Sequence, residues 1–201
     1  MRVLAIGAHP DDIEFGVGGT VAKHVKNGDK VYFLVMSDGE KGGAYKSVRR
    51  GEVRKSAKVL GIKNIKFLGL PDTNIAYNHK TIDKIEKHIK RIKPDMIYTH
   101  CLKDTHQDHY NTALATITAA RNSAVILSYE VQSTFPNFNP QMYIDISKTL
   151  KLKIDALKCF TSQNHKRFMA TEAIIGLVRF RGFQARTNFA EAFEVIRQVI
   201  K

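Results

Sequence analysis

The sequence predicts an α/β fold: a single-domain, Rossmann-like, mostly parallel sheet flanked by helices, with additional strands and helices towards the C-terminus. Three observations predict it. Short apolar runs at 2–7, 30–36, 65–68 and 95–100 have the length of buried strands. Each is followed by a helix-compatible stretch or a turn-rich loop, the alternation that builds parallel sheets. The 201 residues suit one domain over 1–201 with a sizeable core.

In the front half, helices are expected near 18–27, 47–60, 79–92 and 109–122. Gly28 and Gly61 sit where the first two should stop, because glycine accepts the left-handed backbone that ends a helix. Pro94 closes the third, having no amide hydrogen to continue it.

Past Ser123 the order changes. Ala124–Gln132 and Met142–Ile146 read as strands; Ser147–Phe160, Glu172–Arg179 and Ala190–Ile200 read as helices, with Ser147 as an N-cap. The run Pro136-Asn137-Phe138-Asn139-Pro140 is a loop, and no linker divides this half from the first.

Hydrophobic residues at 43% and charged residues at 25%, without low-complexity runs or an internal period, describe a globular chain rather than a repeat protein. Cys101 and Cys159 form no C-x-x-C pair and read as buried thiols in a reducing compartment. The opening apolar run is too short for a signal peptide, and none approaches the roughly 20 residues that span a bilayer. The expectation is a cytoplasmic protein with no integral membrane segment. The net charge of +13 suits phosphate-bearing or otherwise anionic partners. Much of it is spread over helical faces, as in Lys80, Lys84, Lys87, Lys90, Arg91 and Lys93, without aromatic interleaving or zinc-finger spacing; nucleic acid is not expected as a partner.

Two clusters carry chemistry. The first strand delivers His9-Pro10-Asp11-Asp12 to the carboxyl edge of the sheet, where open α/β folds place ligands. Asp104-Thr105-His106-Gln107-Asp108-His109 follows the fourth apolar run and projects from the same edge, so the two loops can meet. Zinc in a hydrolytic site takes three protein ligands and leaves one position open, and His9, Asp12 and His109 would supply that set. Asp11 is then the candidate general base, His106 a donor to the developing oxyanion, and Asp108 a carboxylate that steadies His106.

Each residue alone has a plainer explanation: Asp11 or Asp12 as a helix cap, His106 or His109 as surface residues at a helix start. Another class of reading is a nucleotide-binding module, since Gly16-Val17-Gly18-Gly19 precedes a helix and Asp38 lies about 20 residues on. That fingerprint fails at Val21, and Asp11 and Asp12 would repel a pyrophosphate.

The motif Ala8-His9-Pro10-Asp11-Asp12 resembles the opening signature of the PIG-L/LmbE-like zinc-dependent N-deacetylases. The likeness continues through Gly18-Gly19-Thr20, Ser37-Asp38-Gly39-Glu40, Arg49-Arg50-Gly51-Glu52, Pro71-Asp72, His106-Gln107-Asp108-His109, Asp145-Ile146-Ser147, Lys153, Ser162-Gln163 and Ala190-Glu191-Ala192-Phe193. It departs at Gln107, where proline is usual, at Ile13, which separates Asp12 from a glutamate, and at Phe189, commonly a tyrosine. The resemblance implies Zn2+ held by His9, Asp12 and His109, with Asp11 as base and His106 as acid partner. It also implies an N-acetylglucosamine-type amino sugar or its conjugate as substrate, and Arg49 near that substrate. Arg49 pairing with Glu52 on a helix surface is the plainer alternative, and Tyr129-Glu130 resembles a stretch that can reach the pocket. A homo-oligomer is expected. The alternative substrate is a non-sugar acyl-amine.

Overall fold

The central strands are apolar along almost their whole length because helices cover both faces of the sheet. In the computed structural model, which describes residues 1–123 and 125–199, β1 spans Arg2–Gly7 and every residue after Arg2 is buried. Its side chains alternate between two cores, as a strand's period of two requires. Val3 and Ala5 join Val17 and Val21 of α1 (Asp12–Lys26) and Val53 of α2 (Lys46–Val59). Leu4 and Ile6 join Ile85 of α3 (His79–Ile92) and Ala115 of α4 (Gln107–Ala119) on the other face.

The remaining elements are β2 (Lys30–Ser37), β3 (Asn64–Leu70), β4 (Met96–His100), β5 (Val125–Tyr129), β6 (Met142–Asp145), α5 (Leu150–Leu157), α6 (Thr171–Gln184) and β7 (Ala190–Gln198). They form a seven-stranded sheet in the order β3-β2-β1-β4-β5-β7-β6. The first five strands run parallel, and β7 is antiparallel to both β5 and β6. The strand order reverses beside β1, so the loops after β1 and β4 part at the carboxyl edge and leave a crevice. No helix among the described residues is long and apolar enough to cross a membrane.

The structure corrects the expected elements in several places. Ala190–Gln198 is strand β7, not a helix. Its apolar residues mimic a helical period because its first five positions are all buried between β5 and β6, which removes the polar alternation of a half-exposed strand. Helix α1 starts at Asp12, ahead of its glycines. Gly16 lies against the Tyr129 ring, and a Cβ on Gly19 would come within 2.8 Å of Ile146, so these glycines serve close packing rather than a phosphate. β3 is a half-exposed edge strand instead of a buried one. Ser147 bonds Asp145 Oδ1 through its amide and hydroxyl, and α5 begins only at Leu150 with Thr149 as its N-cap. The expected ends Ala124 and Ile200, with Lys201, lie outside the described residues. Both cysteines are free; Cys101 is buried and Cys159 only half-buried.

A buried ion pair locks the added C-terminal layer to α1. The Lys153 ammonium lies 2.5 Å from Glu191 Oε1 and also donates to the Phe15 carbonyl. Glu191 in turn accepts the amides of Gly19 (2.9 Å) and Thr20 (2.7 Å). Removing one partner strands a charge and two helix amides in the interior. Glu191→Ala is therefore expected to lower unfolding free energy by about 3–5 kcal/mol, read from the urea midpoint.

Candidate active site

The turn after β1 is held open by its own strain. Ser37 donates its amide (2.8 Å) and hydroxyl (3.0 Å) to the Ala8 carbonyl, fixing where the chain leaves the sheet. Asp11 then adopts φ 100°, a left-handed conformation that costs a non-glycine residue on the order of 1 kcal/mol or more. It occupies the N-cap position of α1, yet its side chain caps nothing. The carboxylate points instead to Arg49 Nη2, at 3.0 Å. Burial pushes its pKa up to about 6, against the pull of Arg49.

Asp12 opens α1 with its carboxylate turned inward. Oδ2 accepts the His9 amide at 2.7 Å and lies 3.2 Å from His100 Nε2, while Oδ1 lies 3.4 Å from His109 Nε2. Burial opposes its charge, but His109 and His100 outweigh burial and hold its pKa well below the ordinary carboxylate range. The loop after β4 brings the second cluster over this one. Asp104 Oδ1 accepts the His106 amide at 2.8 Å, and Oδ2 lies 3.1 Å from His109 Nδ1. The His109 ring stacks between His100 (centroids 4.1 Å apart) and His106 (4.4 Å). Burial lowers the pKa of His109, yet Asp12 and Asp104 carry it up to about 9.

His9, Asp12 and His109 lie beside one another. His9 Nδ1 is 3.2 Å from His109 Nε2 and 3.4 Å from Asp12 Oδ2. Asp12 faces the two imidazoles with different oxygens, Oδ2 towards His9 and Oδ1, at 3.4 Å, towards His109. Among the described residues, donor atoms also converge within 4.8 Å in His9, His106 and His109, in Asp12, His100 and His109, and in His9, Asp72 and Asp108. His9 or His109 belongs to every one of these groups. The donors front a cleft of about 310 Å³ lined also by Asp11, Arg49, Asp72 and His106.

One placement differs from expectation, and Arg49 and Tyr129, whose roles were open, take definite positions. Asp108 does not steady His106 with its carboxylate: Oδ2 lies 3.1 Å from His9 Nε2, and Oδ1 accepts the Ile75 amide at 3.0 Å. Its backbone N–H does the steadying, donating to His106 Nδ1 at 3.2 Å, which leaves the proton of a neutral imidazole on Nε2. Arg49 is 2% exposed, so it is no surface residue, although it does pair with Glu52 (3.4 Å). Nη2 also donates to the Pro10 carbonyl at 2.6 Å and Nη1 to Ser162 at 3.4 Å, so both terminal nitrogens are committed to protein oxygens. Tyr129 stays out of the cleft, fully buried beneath His100 with its hydroxyl on the Ile6 carbonyl at 2.7 Å; Glu130 pairs with Arg181 at 2.6 Å.

Sequence reasoning gave no role to Asp72, His100 or Asp104, although Asp104 opens the second cluster and Asp72 lies in one of the matched motifs. Each had one usable signal, its place at or just after the carboxyl end of β3 or β4. Asp72 Oδ1 lies 3.1 Å from His9 Nε2, on the face away from His109. His100 is fully buried, and burial brings its pKa down to about 4, so it stays neutral beside Asp12.

A family model described as GlcNAc-PI de-N-acetylase, PIG-L, matches residues 4–120. The chain belongs to the PIG-L family. It is 34% identical over 163 residues to the uncharacterized deacetylase YaiS of Escherichia coli, covering 78% of this chain and 88% of that protein. The diacetylchitobiose deacetylase of Thermococcus kodakarensis is 27% identical over 186 residues, 81% of this chain and 70% of its own. The solved 4-carboxy-2-hydroxymuconate hydratase of Pseudomonas putida superposes with a TM-score of 0.86 at 19% identity, over 100% of this chain and 98% of its own. That likeness is one of fold, and a fold does not by itself fix a reaction.

Because Arg49 neutralises two buried carboxylates, Arg49→Leu is expected to lower unfolding free energy by about 3–5 kcal/mol, where an exposed pair with Glu52 would cost under about 1 kcal/mol. Chemical denaturation of the two proteins separates these outcomes.

Proposed function

We propose that this PIG-L chain, acting as one domain, is a zinc-dependent N-deacetylase that removes acetate from an N-acetylglucosamine-type sugar or its conjugate. The observation that carries the reading is the meeting of His9, Asp12 and His109 within 3.4 Å of one another, beside Asp11 and His106 on one cleft. The diacetylchitobiose deacetylase among its relatives supports the substrate class.

His9, Asp12 and His109 would hold the metal, and Asp104 and Asp108 orient the two imidazoles from behind, as carboxylates do for ligating histidines. A bound zinc ion supplies Lewis acidity to the acetyl carbonyl and acidity to the attacking water. Asp11 accepts the proton of that water. Its strained backbone and its bond to Arg49 keep the carboxylate on the cleft wall rather than on the helix amides. Arg49 is thereby assigned to Asp11, not to sugar hydroxyls. His106, with its proton on Nε2, donates a hydrogen bond to the oxyanion, and Asp11 passes the proton it took from the water to the departing amine, which restores its carboxylate.

The hydratase fold-mate makes addition of water to a carbon–carbon double bond the second outcome to distinguish. Wild-type enzyme is expected to release acetate and free amine in equal amounts from N-acetylglucosaminides. Turnover only of enol acids, or only of non-sugar amides, would overturn the reading. Elemental analysis is expected to find about one divalent ion per chain, lost together with activity in a His9→Ala, His109→Ala double variant.

Asp11→Asn keeps the shape but cannot accept a proton. It is expected to retain the metal while kcat falls about a hundred- to ten-thousand-fold. His106→Ala should likewise lower kcat far more than metal affinity; loss of the ion in that variant would make His106 a ligand.

A further inference from the structure

The mouth of the cleft carries positive charge that the reaction above leaves unused. Lys41 lies on a single tight turn, Glu40–Gly42, and Lys166 on the segment between α5 and α6; both line the cleft that holds His9 and Asp12. The Lys41 amide donates to Asp72 Oδ2 at 2.7 Å, which pins the turn against the site. Gln163 Nε2 donates to the Gly42 carbonyl at 3.2 Å and ties the two segments together. The Lys166 ammonium stands 5.7 Å above the centre of the Phe168 ring, and a Cβ on Gly42 would come within 3.9 Å of it. It therefore faces the Lys41 turn across the mouth.

The acids of the cleft are already engaged. Asp11 pairs with Arg49 at 3.0 Å, Asp12 with His100 and His109, and Asp72 with His9 at 3.1 Å. Among the described residues, neither Lys41 nor Lys166 has an acidic partner within 4.0 Å. Two lysines line one entrance, the backbone of Lys41 held by Asp72 and the ammonium of Lys166 set over Phe168, and without acidic partners they leave a place for an anion. A neutral sugar would give them no such partner.

We propose that Lys41 and Lys166 form a subsite for an anionic group, phosphate or carboxylate, carried on the aglycone of the amino sugar. This rests on the amino-sugar reading above. The acetamide reaches the His9–Asp12–His109 centre while the charged substituent stays at the mouth, where lysines act as point charges. The chain's net charge of +13 adds long-range attraction for the same ligand.

The test compares amine release by zinc-loaded wild type and a Lys41→Met, Lys166→Met double variant. The substrates are three N-acetylglucosaminides: the neutral methyl glycoside, the 1-phosphate and the glycolic acid glycoside. Wild type is expected to favour the anionic compounds by about ten-fold in kcat/KM, mostly through KM. That ratio should approach one in the double variant, and shrink in wild type as salt screens the exposed lysines. Preference for only one of the two anions would keep the subsite and identify its source. A ratio near one in wild type, or a ratio unchanged in the double variant, would overturn it. Equilibrium binding of the same glycosides to Asp11→Asn, with and without the lysine substitutions, separates the two readings. Tighter, lysine-dependent binding of the anionic glycosides, with no hydrolysis of any by zinc-loaded wild type, would remove the deacetylase reading and keep the subsite. Equal hydrolysis of all three would do the reverse.

Discussion

The carboxylate of Asp12 joins the end of β1 to the loop after β4, and the rest of the site is arranged around it. It is 3% exposed, and a carboxylate so buried persists only with partners enough to replace water. It finds them in the His9 amide, His100 and His109. Those contacts fix the relative height of two loops that are about a hundred residues apart in sequence. They are possible because the sheet reverses its strand order beside β1 and opens a crevice there.

A second layer of charge holds Asp11. Arg49, on the first turn of α2, bridges Asp11 and Glu52, and Glu52 accepts the amide (2.8 Å) and hydroxyl (2.8 Å) of Ser162. The floor beneath Asp11 therefore extends into the C-terminal layer, which the Lys153–Glu191 pair holds against α1. Glu14 lies in the same interior, bonded to Ser56, with burial pushing its pKa up to about 7. Its place one turn below Asp11 is structural support, since it does not line the cleft.

The site therefore has a fixed interior and a less constrained rim. The buried carboxylates and imidazoles are fixed by mutual hydrogen bonds and tolerate little change. The segment bearing Lys166 and Phe168 lies outside that network, and the turn at Glu40–Gly42 joins it through Asp72.

The sequence by itself determined the parallel strands, the helix stops at Gly28 and Gly61, and the placing of two His/Asp clusters after β1 and β4. These are local properties: apolar run length, a positive φ, and polar side chains placed just after strands. Strand β7 was not legible, because its identity comes from the slot between β5 and β6 rather than from its own period. The turn of Asp108 to His9, the burial of Arg49 against Asp11, and the entry of Asp72, His100 and Asp104 into the site were likewise decided only by the tertiary structure. A buried polar group must bond to whatever lies within about 3 Å, and which groups those are depends on segments brought together by the fold.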